Sequence, residues 1–223
     1  MLARVLVALV LIGVPVAAPA HHLGSYTPRD NEISVNFKQL KFAIQAAKFE
    51  VAQRLFESGP VRKEMLAMVA RLPSGLESRV AGSLREHQGA EAERGLVIFF
   101  AALTRDLALE AERQVSDTSV PAEVRTAAGR KFLEAIWRYY NLVDFAISQY
   151  DPKAAVAVRL AFDEAESLAK SPAASVAANP SSGPRPVTRG ADVQSPERLR
   201  QPLARIAQAL SGVVDSTTVR RSS

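Results

Sequence analysis

Three histidines and no cysteine limit the chemistry open to this chain. Two of the histidines, His21 and His22, are adjacent and follow Ala18-Pro19-Ala20 directly. If the chain is cut after Ala20, His21 carries the free amine. A terminal amine, its own imidazole and a second imidazole suit Cu(II), and Asp30 and Glu32 lie near enough in sequence to add oxygen ligands. A cut after Ala18 would leave His21 third, which is also a copper and nickel arrangement. The commoner reading of two histidines at a terminus is that they are bystanders, because termini are mobile and tolerate change. His87 reads as a surface residue near a helix end.

The second concentration of chemistry is FLEAIWRYYNLVDFAISQY, Phe132 to Tyr150, with the only Trp and three of the four Tyr. Leu133, Ile136, Trp137, Tyr140, Val143 and Ile147 face one way, and Asp144 follows Tyr140 by one turn. A carboxylate at the edge of an apolar aromatic face is either hydrogen-bonded to a Tyr or Arg, or it is a ligand. The next helix offers Asp163, Glu164 and Glu166, just after Arg159. Carboxylates and tyrosine between two helices would suit Fe(III), a hard ion that accepts both oxygen types. The structural alternative is an Asp–Arg or Asp–Tyr network. The Glu-x-x-His signature of di-iron bundles is missing. So are a Gly-x-Ser-x-Gly elbow, a phosphate loop and a dinucleotide fingerprint, and we expect a non-enzyme. Without cysteine there is no disulfide framework, no thiolate-held iron–sulfur cluster and no c-type haem. The cofactor expectation therefore reduces to copper, iron or nothing. The paired EAER runs at Glu91 and Glu110 read as salt-bridged surface.

The segment YYNLVDFAISQYDPKAAVAVRLAFDEAE, within residues 139–166, resembles the helical periplasmic modules that accompany bacterial high-affinity iron permeases. The permease's own Arg-Glu-x-x-Glu motifs in apolar helices have no counterpart here. The resemblance implies a detached helical module serving iron or another metal. It carries over only to Asp144, Asp163, Glu164 and Glu166.

The elements that would position these residues are helices. From Asn31 to Lys170 apolar residues recur at helical spacing and almost never alternate. The first helix starts at a cap on Asp30 or Asn31, with Glu32 in its first turn, and ends at Ser58-Gly59-Pro60. Ile33, Phe37, Leu40, Ile44, Ala47, Val51 and Leu55 form one stripe. Val35, Phe42, Phe49 and Phe56 form a second row on the opposite side at about 100° per residue. A helix apolar on two faces is buried between neighbours or meets a partner. That row is the candidate interaction face. Short helices are expected over Val61–Leu72 and Leu76–His87, and a long one from Ala90 to Val115. Another runs from a cap at Ser119 or Val120 to Tyr150, and its antiparallel mate covers Lys153–Ala169. The fold class is all-α, an antiparallel bundle of helical hairpins. Residues 171–194, rich in Pro, Ser and Ala, read as a flexible linker. A last helix over 195–217 carries the stripe Leu199, Leu203, Ile206, Leu210, Val213. Alone it would be marginal in water, so it must dock, in cis or on a partner.

The N-terminus sets the expected compartment. Arg4, the apolar run Val5–Val14 and the small residues before His21 form a signal peptide over 1–20. The run is too short to span a bilayer, and no later segment is long and apolar enough. We therefore expect a periplasmic or secreted protein with its bundle domain at 21–170. Hydrophobic content of 48% and charged content of 23% are ordinary for a folded domain. Removing Arg4 lowers the formal charge from +5 to +4. Much of that excess lies near the end, and the basic tail at 218–223 could touch an anionic surface. The expected partner is another periplasmic or membrane protein, not nucleic acid.

Overall fold

The computed structural model describes residues 28–170 and 195–219, with side chains described to Asp215. These residues are all-α, as expected, with no strand among them. Helices α5 (Gly89–Ser116), α6 (Ala122–Tyr150), α7 (Pro152–Ala169) and α8 (Arg200–Val219) pack in a ring, each on the next and α8 back on α5. The ring alternates up and down. Phe100 meets Tyr139 and Arg94 meets Tyr150, so α6 runs against α5. Trp137 stacks on Phe162 and Asp144 pairs with Arg159, so α7 runs against α6. Arg200 pairs with Glu112 and Arg205 with Glu164, so α8 runs against both α5 and α7. Helices α1 (Glu32–Gln45), α2 (Phe49–Glu57), α3 (Pro60–Ala67) and α4 (Leu76–Arg85) form a second layer on the N-terminal part of α5.

The sandwiched helix is α5. Every residue from Gly95 to Thr104 is buried. The run GLVIFFAALT is apolar on all sides because neighbours cover all sides. Gly95 is where α4 comes closest: a Cβ there would lie 2.5 Å from Val80 Cγ2. Phe37 meets Phe100 edge-on at 4.6 Å and joins the two layers.

The first helix is not continuous to Ser58. It stops at Gln45 and restarts at Phe49. Ala47 takes the left-handed conformation, φ 54°. The Lys48 N–H then donates to Ala43 O at 2.8 Å and the Ala47 N–H to Ile44 O at 2.9 Å. These bonds satisfy the last carbonyls of α1 and end it. The α4–α5 turn repeats the device: His87 has φ 58°, and the Gln88 N–H reaches Ser83 O at 2.8 Å. The two turns pack together, with the Phe49 and His87 rings stacked 4.9 Å apart and Ile44 over Gly89.

Other boundaries shift by a few residues. The segment expected as one helix over Val61–Leu72 closes at Ala67 and continues as a 3₁₀ turn, Val69–Arg71. Pro121, not Ser119 or Val120, holds the cap position of α6, with an extended backbone (φ −54°, ψ 143°) and no side-chain cap. The C-terminal segment opens as a 3₁₀ turn, Pro196–Leu199, before α8. Leu199, Leu203, Ile206, Leu210 and Val213 are all buried, so this helix docks in cis. The signal peptide expected at 1–20, the linker expected at 171–194 and, in the tail expected at 218–223, residues 220–223 and the side chains of 218 and 219 lie outside the described residues.

Candidate functional site

Asp144 sits on α6 beside the buried stripe, and one turn of spacing points it at α7. There Arg159 takes it in a two-pronged grip: Nε to Oδ1 at 2.9 Å and Nη2 to Oδ2 at 2.5 Å. Such forked pairs are the strong form of the interaction. Tyr140 lies beneath, fully buried, and its hydroxyl donates to Ala155 O at 3.3 Å. Burial, and then the Asp144 charge, push the Tyr140 hydroxyl far above its usual range, so it stays protonated. Asp144 in turn raises the Arg159 guanidinium. This is an Asp–Arg network, with Tyr140 beneath it.

The other candidate carboxylates do not converge on Asp144. Glu164 is exposed and pairs with Arg205 across to α8. Glu166 is buried, with Lys170 Nζ 3.7 Å away one turn on. Asp163 is raised above its ordinary value by burial and then by the neighbouring Glu166. Among the described residues no group of three or more His, Asp or Glu could hold a metal ion. His21 and His22 lie outside the described residues. Glu91–Arg94 and Glu110–Arg113 are surface ion pairs at 3.5 and 2.6 Å. Arg113, then Gln114, lower Glu110 to about 2.

The row Val35, Phe42, Phe49, Phe56 is not one face. The break at Ala47 resets the helical phase, so its two halves part. Val35 and Phe42 point outward from α1, with Phe42 69% exposed. Phe49 is half-buried against His87, and Phe56 is in the core. The apolar stripe fails in the same way. Phe37, Leu40 and Ile44 are buried, but Val51 is exposed.

Two polar elements were not read from sequence. Asn36, buried on α1, donates to Leu55 O at 3.1 Å and accepts from the Val61 N–H at 3.1 Å. It thereby fixes the α2–α3 turn against α1. Gly59 is required there, because any Cβ would strike Leu55 O and the Asn36 amide. Arg125, buried at the start of α6, donates to Val115 O at 2.9 Å and Val120 O at 3.0 Å and reaches Glu197. Only an Asn or Arg at a helix position otherwise facing the core would have marked them.

Comparison with protein-family models, curated proteins and solved structures finds no match. Functional assignment therefore rests on the residues themselves.

Proposed function

We propose that the protein is an exported, non-catalytic helical docking module that binds another protein through the outward face of α1. The observation that carries this is the exposure of Val35 and Phe42, two turns apart on the same side of a helix whose opposite side is core. Lys38, Gln39 and Gln45 surround them and supply a polar rim. Covering a Phe side chain stabilises a complex by about 1.5–3 kcal/mol, the scale of an interface hot spot. The export reading adds the signal-peptide pattern of residues 1–20. No helix among the described residues is long and apolar enough to cross a membrane. The metal-handling reading draws less support, since Arg159 occupies Asp144 and the remaining carboxylates are dispersed.

Site-specific photo-crosslinking in the source cells tests the proposal. A crosslinker at Val35 or Gln39 should give an adduct of one discrete mass, and Phe42→Asp should abolish it. A crosslinker at Gln208, on the outer side of α8, is the control and should give none. No adduct from α1, or the same adduct from all positions, would defeat the proposal.

A further inference from the structure

A second apolar surface lies on a separate element, where α3 gives way to its 3₁₀ turn. Leu66, Ala67, Val69 and Ala70 are all exposed, Leu66 by 49% and Val69 by 63%. Only Met68 within that run turns inward, and it is fully buried. The segment is not free to fold its apolar groups away. Arg105 Nη2 donates to Arg71 O at 3.1 Å, and Arg71 Nη1 lies 3.2 Å from Asp106 Oδ2.

The charges around it are arranged by depth. Lys63 and Arg71 stand at the rim, with the Arg71 side chain 59% exposed. The acid that balances Arg71 is Asp106, whose side chain is only 10% exposed and lies beneath. Glu64, beside Lys63 on α3, is half-buried, so what the surface presents outward is apolar in the middle with Lys63 and Arg71 as its exposed charges. An anionic bilayer has the complementary order, with acyl chains to receive Leu66 and Val69 and headgroups to receive Lys63 and Arg71. The long stems of Lys and Arg let the charge stay at headgroup level while the apolar tip enters.

We propose that this Leu66–Arg71 tip seats the protein on an anionic lipid surface. The seat is distinct from α1's outward face, so a protein bound there would be brought to the membrane.

The test is co-sedimentation of residues 21–223 with vesicles of phosphatidylglycerol and phosphatidylethanolamine, and with phosphatidylcholine vesicles. Residues 1–20 are left out because their apolar run would itself enter lipid. Binding is expected to the anionic vesicles only and to weaken with salt. The double substitution Leu66→Asp, Val69→Asp should abolish it. Both side chains are exposed, so the urea midpoint should stay unchanged. Lys63→Glu changes the charge by two units and should weaken binding roughly twenty-five-fold, at about fivefold per charge. Absence of binding to anionic vesicles overturns the proposal and leaves the tip to a protein partner. Binding unchanged by Leu66→Asp, Val69→Asp but lost in Arg220→Ala, Arg221→Ala overturns it too, and assigns the contact to the basic tail.

Discussion

Ala47→Gly should make the protein more stable, although Gly in a helical protein usually does the reverse. Ala47 sits at φ 54°, where its Cβ crowds the backbone. An L-residue pays roughly 1–2 kcal/mol for that conformation. Glycine pays nothing for it but loses roughly 0.5–1 kcal/mol more than alanine in chain entropy on folding. Ala47 is exposed, so no packing is lost. The balance is a gain of about 0.5–1 kcal/mol, or a rise in Tm of about 1–4 °C for a chain of this size. Ala46→Gly is the internal control. It lies next door with φ −83°, gains no relief, and should lose roughly 0.5–1 kcal/mol. His87→Gly relieves the same strain but gives up the stack on Phe49, so its gain should be smaller. Urea unfolding followed by circular dichroism measures all three. If Ala47→Gly is no more stable than the parent, or Ala46→Gly gains as much, the left-handed turn is not what ends α1.

Gly59→Ala should cost at least about 2 kcal/mol in the same assay, because its Cβ displaces the Asn36 amide and both its hydrogen bonds. Leu203→Ala should cost about 2–4 kcal/mol by opening a cavity under α8, and a cost near zero would mean that α8 is not docked in solution. Asp163→Asn should stabilise at neutral pH. Burial and Glu166 raise the native carboxyl above 3.8, so the native state holds its proton longer and loses stability as pH rises past that point. The advantage of the variant should vanish below about pH 3.8, and an advantage constant with pH would refute the cause. Glu197 works in the opposite sense. Ser195, then Arg125, hold it at about 2, so its contribution is present above its ordinary 4.5 and fades as pH falls toward 2. Glu197→Gln should remove that part of the acid sensitivity, read from thermal unfolding at pH 2 to 5.

What the sequence determined by itself was whatever depends on neighbours along one helix. The capping residue Asn31 is confirmed by its reciprocal bonds with Ser34, both 2.9 Å. Asp151 closes the α6–α7 turn through its carboxylate on the Ala154 N–H at 2.9 Å. The stripes on α6 and α8 are buried residue for residue, because a period of about 100° per residue is a local property. Tertiary structure decided what that period cannot carry. Ala47 is neither Gly nor Asn, the residues that announce a left-handed turn, so nothing local parted Phe42 from Phe56. Whether an apolar face is covered depends on helices distant in the chain. That is why α5 rather than α1 became the interior helix, and why Val35, Phe42, Leu66 and Val69 stayed in water. Asp144 was readable as a carboxylate in need of a partner. That Arg159 comes within reach of it depends on the register of α7 against α6.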